Sequence, residues 1–184
     1  QIRRFLELCR QTGLTPPWIH LANSAGILGF GKAGGNMVRP GLMLYGIPPV
    51  AGNTYADRLN PALVWKSRIT QIRNLPPGSG ISYGQTFVTA RETRIATIAA
   101  GYGDGYPRSL SGVAAEVIIA GRRCPLLGRV TMDMIMADVS HLEAVPAPGD
   151  TVTLIGGGDA PITVAELAEK AGLIPWEILT GISP

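Results

Sequence analysis

Apolar residues near the start of the chain recur at a helical interval. Ile2, Phe5, Leu6, Leu8 and Cys9 form a stripe of about 3.6-residue period, and Gly13 stands where a C-cap would end it. The run "WIHLANS" (18–24) is apolar and closes in polar residues, which predicts a short buried strand. "SAGILGF" predicts a short helix starting at Ser24, and "NMVRPGLMLYG" (36–46) a second strand interrupted by Pro40-Gly41. A helix–strand–helix–strand order belongs to an α/β arrangement. Two strands and two helices bury too little surface to close a domain by themselves.

Residues 47–60, "IPPVAGNTYADRLN", are rich in Pro, Gly, Asn and Asp and predict a connector. Beyond it the pattern shortens. "ALVWKSRITQIRNL", "TRIATIAA", "AAEVIIAG", "RCPLLGRVT", "MIMADVS" and "DTVTLIGG" are β-prone runs punctuated by Gly, Pro and Asp. Such spacing predicts a compact domain of β-barrel type. "TVAELAEKAGL" carries a helix start at Thr163, Glu166 three residues on and Gly172 as C-cap. "PWEILTGISP" (175–184) reads as a strand or an extended segment. The expectation is a mainly β protein: an α/β N-terminal piece over 1–46, which the resemblance given below implies is an incomplete barrel end, a connector over 47–60 and a β-domain over 61–184. An opening helix with no strand before it, and an end without a polar tail, predict a piece of something larger.

Composition narrows the classes. Of 184 residues, 46% are apolar and 16% charged, enough for a sizeable core and unlike a disordered chain. No apolar run reaches the roughly 18 residues of a membrane span, and Gln1-Ile2-Arg3-Arg4 does not open a signal peptide. Cys9 and Cys124 share no metal-ligand spacing, so a reduced cytoplasm is the expected setting. The net charge of +3 is spread along the chain, with no basic cluster larger than a pair such as Arg122-Arg123. A nucleic-acid surface concentrates its charge on one face, which argues against such a partner.

Several stretches hold residues that could carry chemistry. Asn23-Ser24 at the start of a short helix would seat a phosphate, or serve as an ordinary cap. Arg39, at the end of an apolar strand, needs an acceptor, either a ligand or a structural ion pair. "IAAGYGDGYPRSL" (98–110) combines three glycines with Tyr102, Asp104, Tyr106 and Arg108, more than a turn requires. "GRVTMDMIM" (128–136) sets Arg129, Met132 and Asp133 in an apolar strand, where Asp133 should be paired, Arg129 being one candidate. In "ISYGQTF" (81–87), Tyr83 is either a core aromatic or a phenol held out for chemistry. His20 and His141 are the only histidines, and His141 reads as a surface loop residue. No Cys/His cluster suggests zinc, and no Ser/His/Asp set or Walker loop stands out. Taken singly, each of these features reads as structural.

In order along the chain, "HLANSAG", "VRPGLMLYG", "ISYGQTF", "IAAGYGDGYPR", "GRVTMDM", "PGDTVTLIG" and "WEILTGIS" together resemble the alanine racemase family. The likeness runs from the last strands of that family's pyridoxal phosphate barrel through its C-terminal β-domain. It implies a head-to-tail homodimer with an N-terminal (β/α)8 barrel, no nucleic-acid or membrane partner, and a small amino acid as substrate. Tyr83 matches the family's catalytic Tyr, which moves the Cα proton of the L-enantiomer in the other subunit's site while a cofactor Lys serves the opposite face. An unperturbed phenol has a pKa near 10, so this use at neutral pH asks for positive charge nearby. Arg129 matches a residue of the access channel and Arg108 its outer region.

The resemblance also implies a cofactor cup of Asn23, Ser24, Gly41 and Leu42, with Arg39 facing the pyridine nitrogen of pyridoxal 5'-phosphate. An Arg does not readily give up a proton, so that nitrogen would stay unprotonated. Tyr102, Met132 and Asp133 match residues at the substrate pocket, and His20 one behind Arg39. Lys32, Lys66 and Lys170 match no cofactor-lysine position. Thr131 replaces a Cys and Trp176 a frequent Tyr, and where some members carry a phosphate-binding Tyr this chain has Pro184. Serine and broader racemases share these motifs. An inactive dimerisation module is the alternative reading.

Overall fold

The computed structural model describes residues 1–31, 34–50, 52 and 55–182. Lys32 and Pro184 therefore lie outside the described residues. The chain divides into two compact units, Gln1–Ala62 and Leu63–Pro184.

In the first unit, helix α1 spans Ile2–Thr12 and ends on Gly13, whose φ of 64° is the left-handed conformation of a C-cap. Ile2, Phe5, Leu6 and Cys9 are half-buried, the i, i+3, i+4, i+7 face of an amphipathic helix. Leu8 falls off that face and is exposed, so it does not belong to the stripe. Helix α2 spans Ser24–Phe30, with Asn23 rather than Ser24 as its N-cap.

The two expected strands of this unit reduce to a single parallel bridge, Asn23 with Arg39. The Asn36 side chain replaces the ladder at one end, accepting from the Ile19 amide at 2.7 Å and donating to the Pro17 carbonyl at 2.9 Å. At the other end Pro40 has no N–H to extend it. Trp18 is 67% exposed, so 18–24 is not a buried strand either. Beyond Gly41 the chain turns into a 3-10 helix over Leu42–Tyr45 instead of continuing as strand.

The second unit is an antiparallel barrel. Its strands are β1 (Trp65–Leu75), β2 (Gly80–Ile81), β3 (Phe87–Val88), β4 (Thr93–Ile98), β5 (Glu116–Ile119), β6 (Arg122–Pro125), β7 (Ile135–Asp138) and β8 (Thr151–Ile155). Six of them form one sheet in the order β6-β5-β8-β1-β4-β7, while β2 and β3 pair only with each other. An antiparallel bridge between Leu126 and Ala137 joins the two sheet edges, as an all-β domain must to hide its unpaired backbone. The long β1 pairs with β8 through Trp65–Arg68 and with β4 through Ile69–Leu75, with register shifts at Trp65/Lys66 and Ile69/Gln71. Such irregularities bend a strand around a barrel.

Inside lie Ile69, Ile98, Val117, Ile119, Ile135, Val152 and Leu154, all buried, while Ile95 on the opposite face of β4 packs with Ile81 and Leu127. The alternation is plain in β5 and β7, where every second residue faces in. Truncating one such isoleucine to Ala costs about 2–5 kcal/mol. Tyr106 is also fully buried, its ring centroid 5.9 Å from that of Trp65.

Helix α3 (Val164–Ala171) begins at Thr163, whose hydroxyl accepts from the Glu166 amide at 3.0 Å, and ends on Gly172. Residues Pro175–Gly181 form helix α4, not the expected strand. Pro175 sits in the first turn, where its missing N–H is harmless. The Glu177 carboxylate accepts from the Ile174 amide at 3.0 Å, and Ile178 is buried.

Candidate functional site

In the second unit three loops converge on the segment 128–134. The first is the turn between β2 and β3. Ser82 has φ 63° and ψ −175°, a region that is essentially glycine's, and Gly84 and Gln85 also have positive φ. A side-chain-bearing residue there costs on the order of 1–3 kcal/mol, and such strain clusters at functional sites. The Ser82 hydroxyl donates to the Arg129 carbonyl at 2.8 Å, and the Gln85 amide donates to the Ser82 carbonyl at 3.2 Å. A Cβ at Gly128 would stand 2.9 Å from the Ser82 Cβ, so the two segments touch where only glycine fits. Tyr83, at the turn's apex, is 72% exposed. That exposure rules out the core aromatic among the two readings open to it in the sequence.

Arg129 is exposed, and its guanidinium lies over Gly84, with Cζ 3.6 Å from where a Cβ would be. Among the described residues it makes no side-chain hydrogen bond or ion pair. Asp133 is exposed in a loop, so the expected Asp133–Arg129 pair is absent: water, not burial, satisfies both charges.

The second loop carries Tyr102 in a short 3-10 turn over Tyr102–Asp104. The Asp104 carboxylate accepts from the Gly101 amide at 2.9 Å and closes the turn. Tyr102 donates its amide to the Thr131 carbonyl at 2.9 Å, and Gly103 to the Met132 carbonyl at 2.7 Å. Tyr102 is 44% and Met132 61% exposed, so both border the same open surface.

Thr131 folds the third loop. Its hydroxyl donates to the Met134 carbonyl at 2.8 Å and accepts from the Met134 amide at 3.1 Å. The Met132 and Asp133 amides at the tip donate to no protein acceptor among the described residues. Arg108 starts a 3-10 turn farther along, tied in through Ser111, whose hydroxyl accepts from the Val130 amide at 3.0 Å. Tyr106, in the same stretch as Tyr102, belongs to the core. Among the described residues its hydroxyl has no partner, and burial, then Glu166, push its pKa up.

In the first unit Ser24 is 5% exposed, and its hydroxyl accepts from the Gly41 amide at 2.9 Å and the Met43 amide at 3.3 Å. Two accepted bonds leave the Ser24 proton free to donate outward. The Asn23 side chain accepts from the Gly26 amide at 3.0 Å, capping α2 and keeping its NH2 available. Gly41 and Leu42 open the 3-10 turn beside them, and space is open where a Gly41 Cβ would stand. Arg39 is exposed, with Nη2 3.5 Å from the Leu21 carbonyl, so no structural ion pair is needed. His20 and Arg39 line one cleft of about 970 Å3 with Asn23, without a hydrogen bond to each other.

Away from these loops, Arg123 donates to Glu166 through both Nη1 (2.7 Å) and Nη2 (2.9 Å), and to Glu116 at 2.9 Å. Lys170 adds a bond to Glu166 at 2.9 Å. Arg123 and Lys170 hold the Glu166 carboxyl down at about 2, and the Arg123 pKa rises in return. The cluster staples α3 to the barrel. Burial pushes the Cys124 thiol up to about 11. His141 is exposed, its Nε2 3.9 Å from the Cys124 sulfur. Among the described residues no group of His, Cys, Asp or Glu could hold a metal ion, and no helix is long and apolar enough to cross a membrane.

Sequence reasoning named Asp104 without the turn it closes, and passed over Ser82 and Gly128 as parts of the site. The signal for Gly128 was present as a lone glycine between "LL" and Arg129; the strain at Ser82 left no mark in the sequence.

The chain thus carries an α/β piece with a hydroxyl-centred cup, followed by a β-barrel with converging polar loops. Residues 1–49 match the model of the alanine racemase N-terminal domain, and residues 62–184 that of the C-terminal domain. The chain belongs to the alanine racemase family. It is 49% identical over 184 residues to an alanine racemase of Halothermothrix orenii, covering 100% of this chain and 48% of that protein. The crystal structure of alanine racemase from E. faecalis superposes with a TM-score of 0.87 at 36% identity, over 99% of this chain and 48% of that one. Alanine racemase from Bartonella henselae, solved with covalently bound pyridoxal phosphate, gives 0.84 at 31% identity, over 100% and 49%. The chain spans about half the length of the curated relatives it matches.

Proposed function

We propose that this chain forms the C-terminal part of a pyridoxal-phosphate-dependent racemase that interconverts L- and D-alanine. The observation that carries the reading is the strained, exposed turn of Tyr83 beside the unpaired guanidinium of Arg129. Tyr83 is the base that takes or returns the Cα proton on the L side, acting in the site of a partner subunit in a head-to-tail homodimer. A base on the opposite face comes from outside this chain, and two bases on opposite faces are what inversion at carbon requires.

The Ser24 hydroxyl, with its proton left free by two accepted bonds, fits a phosphate group. Asn23, Gly41 and Leu42 complete that cup, Arg39 faces the pyridine nitrogen, and His20 stands behind Arg39. Pyridoxal 5'-phosphate, when bound, supplies the electron sink that makes the Cα proton acidic. The free Met132 amide donates to the substrate carboxylate, with Asp133 beside it and Tyr102 shaping the pocket wall. Arg129 and Arg108 line the approach and favour an anionic amino acid end. The setting is the cytoplasm.

The test uses the full-length protein in which these residues occur, assayed for racemisation of alanine, serine and lysine side by side. Alanine should turn over fastest. Equal or faster turnover of serine or lysine would move the substrate assignment, and no racemisation at all would leave these residues as a dimerisation module. Ser24→Ala should weaken pyridoxal phosphate binding about tenfold, the loss of one charge-assisted hydrogen bond.

A further inference from the structure

We infer that Ser82 is a positioning residue for the proton transfer proposed for Tyr83, acting by tethering the Arg129 main chain through its hydroxyl; this rests on the reading of Tyr83 given above. Three observations meet at this residue. Ser82 adopts φ 63° and ψ −175°, where a glycine would sit without strain, yet the residue carries a side chain. That side chain is in use, donating to the Arg129 carbonyl at 2.8 Å across 47 residues of sequence. At the same junction Gly128 lets the two segments close, because a Cβ there would stand 2.8 Å from the Ile81 carbonyl and 2.9 Å from the Ser82 Cβ.

The consequence is a fixed placement of the Arg129 main chain against the turn that carries Tyr83. Tyr83 follows Ser82 directly, and the Arg129 guanidinium rests over Gly84, which follows Tyr83. No side-chain hydrogen bond or ion pair among the described residues holds that guanidinium. The main chain that carries it is held on both sides, at the Arg129 carbonyl by the Ser82 hydroxyl and at the Val130 amide by the Ser111 hydroxyl. Glycine at position 82 would relax the backbone and release the Arg129 carbonyl. The serine keeps the tether at the expense of the backbone.

The experiment uses full-length protein with Ser82→Ala, Ser82→Gly, Arg129→Ala, Ser82→Ala combined with Arg129→Ala, and Tyr83→Phe. Turnover is followed from α-protonated and α-deuterated L- and D-alanine. Loss of the tether should lower kcat about tenfold or more, as small misplacements of a reacting group do, with KM little changed. The deuterium isotope effect should grow from L-alanine and shrink from D-alanine, where the labelled step belongs to the opposite-face base. Ser82→Ala should add nothing once Arg129 is Ala. Hydrogen exchange in the cofactor-free protein should quicken over 82–85 and 128–131 and stay unchanged in β4 and β8. Ser82→Gly, which removes the hydroxyl without backbone strain, should behave like Ser82→Ala and keeps the test open if the alanine variant folds poorly. An unchanged L-alanine isotope effect in both Ser82 variants, with Tyr83→Phe inactive, would overturn the inference and leave the Tyr83 reading standing. Full activity of Tyr83→Phe would overturn both.

Discussion

Gly103 donates its amide to the Met132 carbonyl at 2.7 Å, and a Cβ at Gly103 would stand 2.9 Å from that same oxygen. Two residues earlier in the loop the fit is tighter. A Cβ at Gly101 would meet the Thr131 and Met132 carbonyls at 2.3 Å. The Tyr102 loop and the Met132 loop therefore interlock main chain to main chain, and their relative position does not depend on flexible side chains.

Gly101→Ala should separate the two loops. Forcing a methyl against two backbone oxygens costs about 1–3 kcal/mol of stability, as overpacking does. Chemical denaturation of the variant should show that loss, and an unchanged midpoint would contradict the interlock.

Tyr106→Phe should be neutral or stabilising. The hydroxyl is fully buried without a partner among the described residues, so removing it ends a desolvation penalty of about 1–3 kcal/mol and sacrifices no hydrogen bond. Thermal melting of the variant checks this. A marked fall in Tm would reveal a partner for that hydroxyl.

The Arg123–Glu166 pair makes acid stability specific to one carboxylate. Glu166 is held down at about 2 by Arg123 first and Lys170 second, against an ordinary value of 4.5. Its stabilisation is complete above the unfolded value and fades as pH falls from about 4.5 to about 2. The contribution is on the order of 2 kcal/mol for a carboxylate that is largely shielded from water. Glu166→Gln should flatten the fall in unfolding free energy across that window; an equally steep fall would assign it elsewhere.

Cys124 should resist alkylation in the native protein at pH 8, because it is fully buried and its thiol is pushed up to about 11. Peptide mapping after iodoacetamide treatment should find Cys124 labelled only when denaturant is present. Rapid native labelling would mean that β6 opens readily.

The barrel was legible because its strands alternate in and out and its punctuation is Gly, Pro and Asp. Helix α3 was legible because Thr163, Glu166 and Gly172 mark both of its ends. Helix α4 was missed although Pro175 and Glu177 spell a helix start, since "WEIL" also suits a strand and the run is short. The two strands expected before residue 47 failed for a local reason: Asn36 and the prolines take up backbone groups that a ladder would need. Within "IAAGYGDGYPR" nothing local distinguishes Tyr106, which fills the core, from Tyr102, which faces out. Tyr83 became legible only in company with the other ordered motifs. The strain at Ser82 was not, because a positive φ is normally written with glycine.

The central claim is that Tyr83 moves the Cα proton on the L side, and one measurement addresses it directly. Full-length wild-type protein and Tyr83→Phe are incubated with L- or D-alanine in heavy water, and loss of the Cα proton is followed by NMR. In the variant, wash-out from L-alanine should fall at least a hundredfold, as expected when a positioned base is removed, while wash-out from D-alanine continues through the opposite-face base. Undiminished wash-out from L-alanine would show that another group is the base.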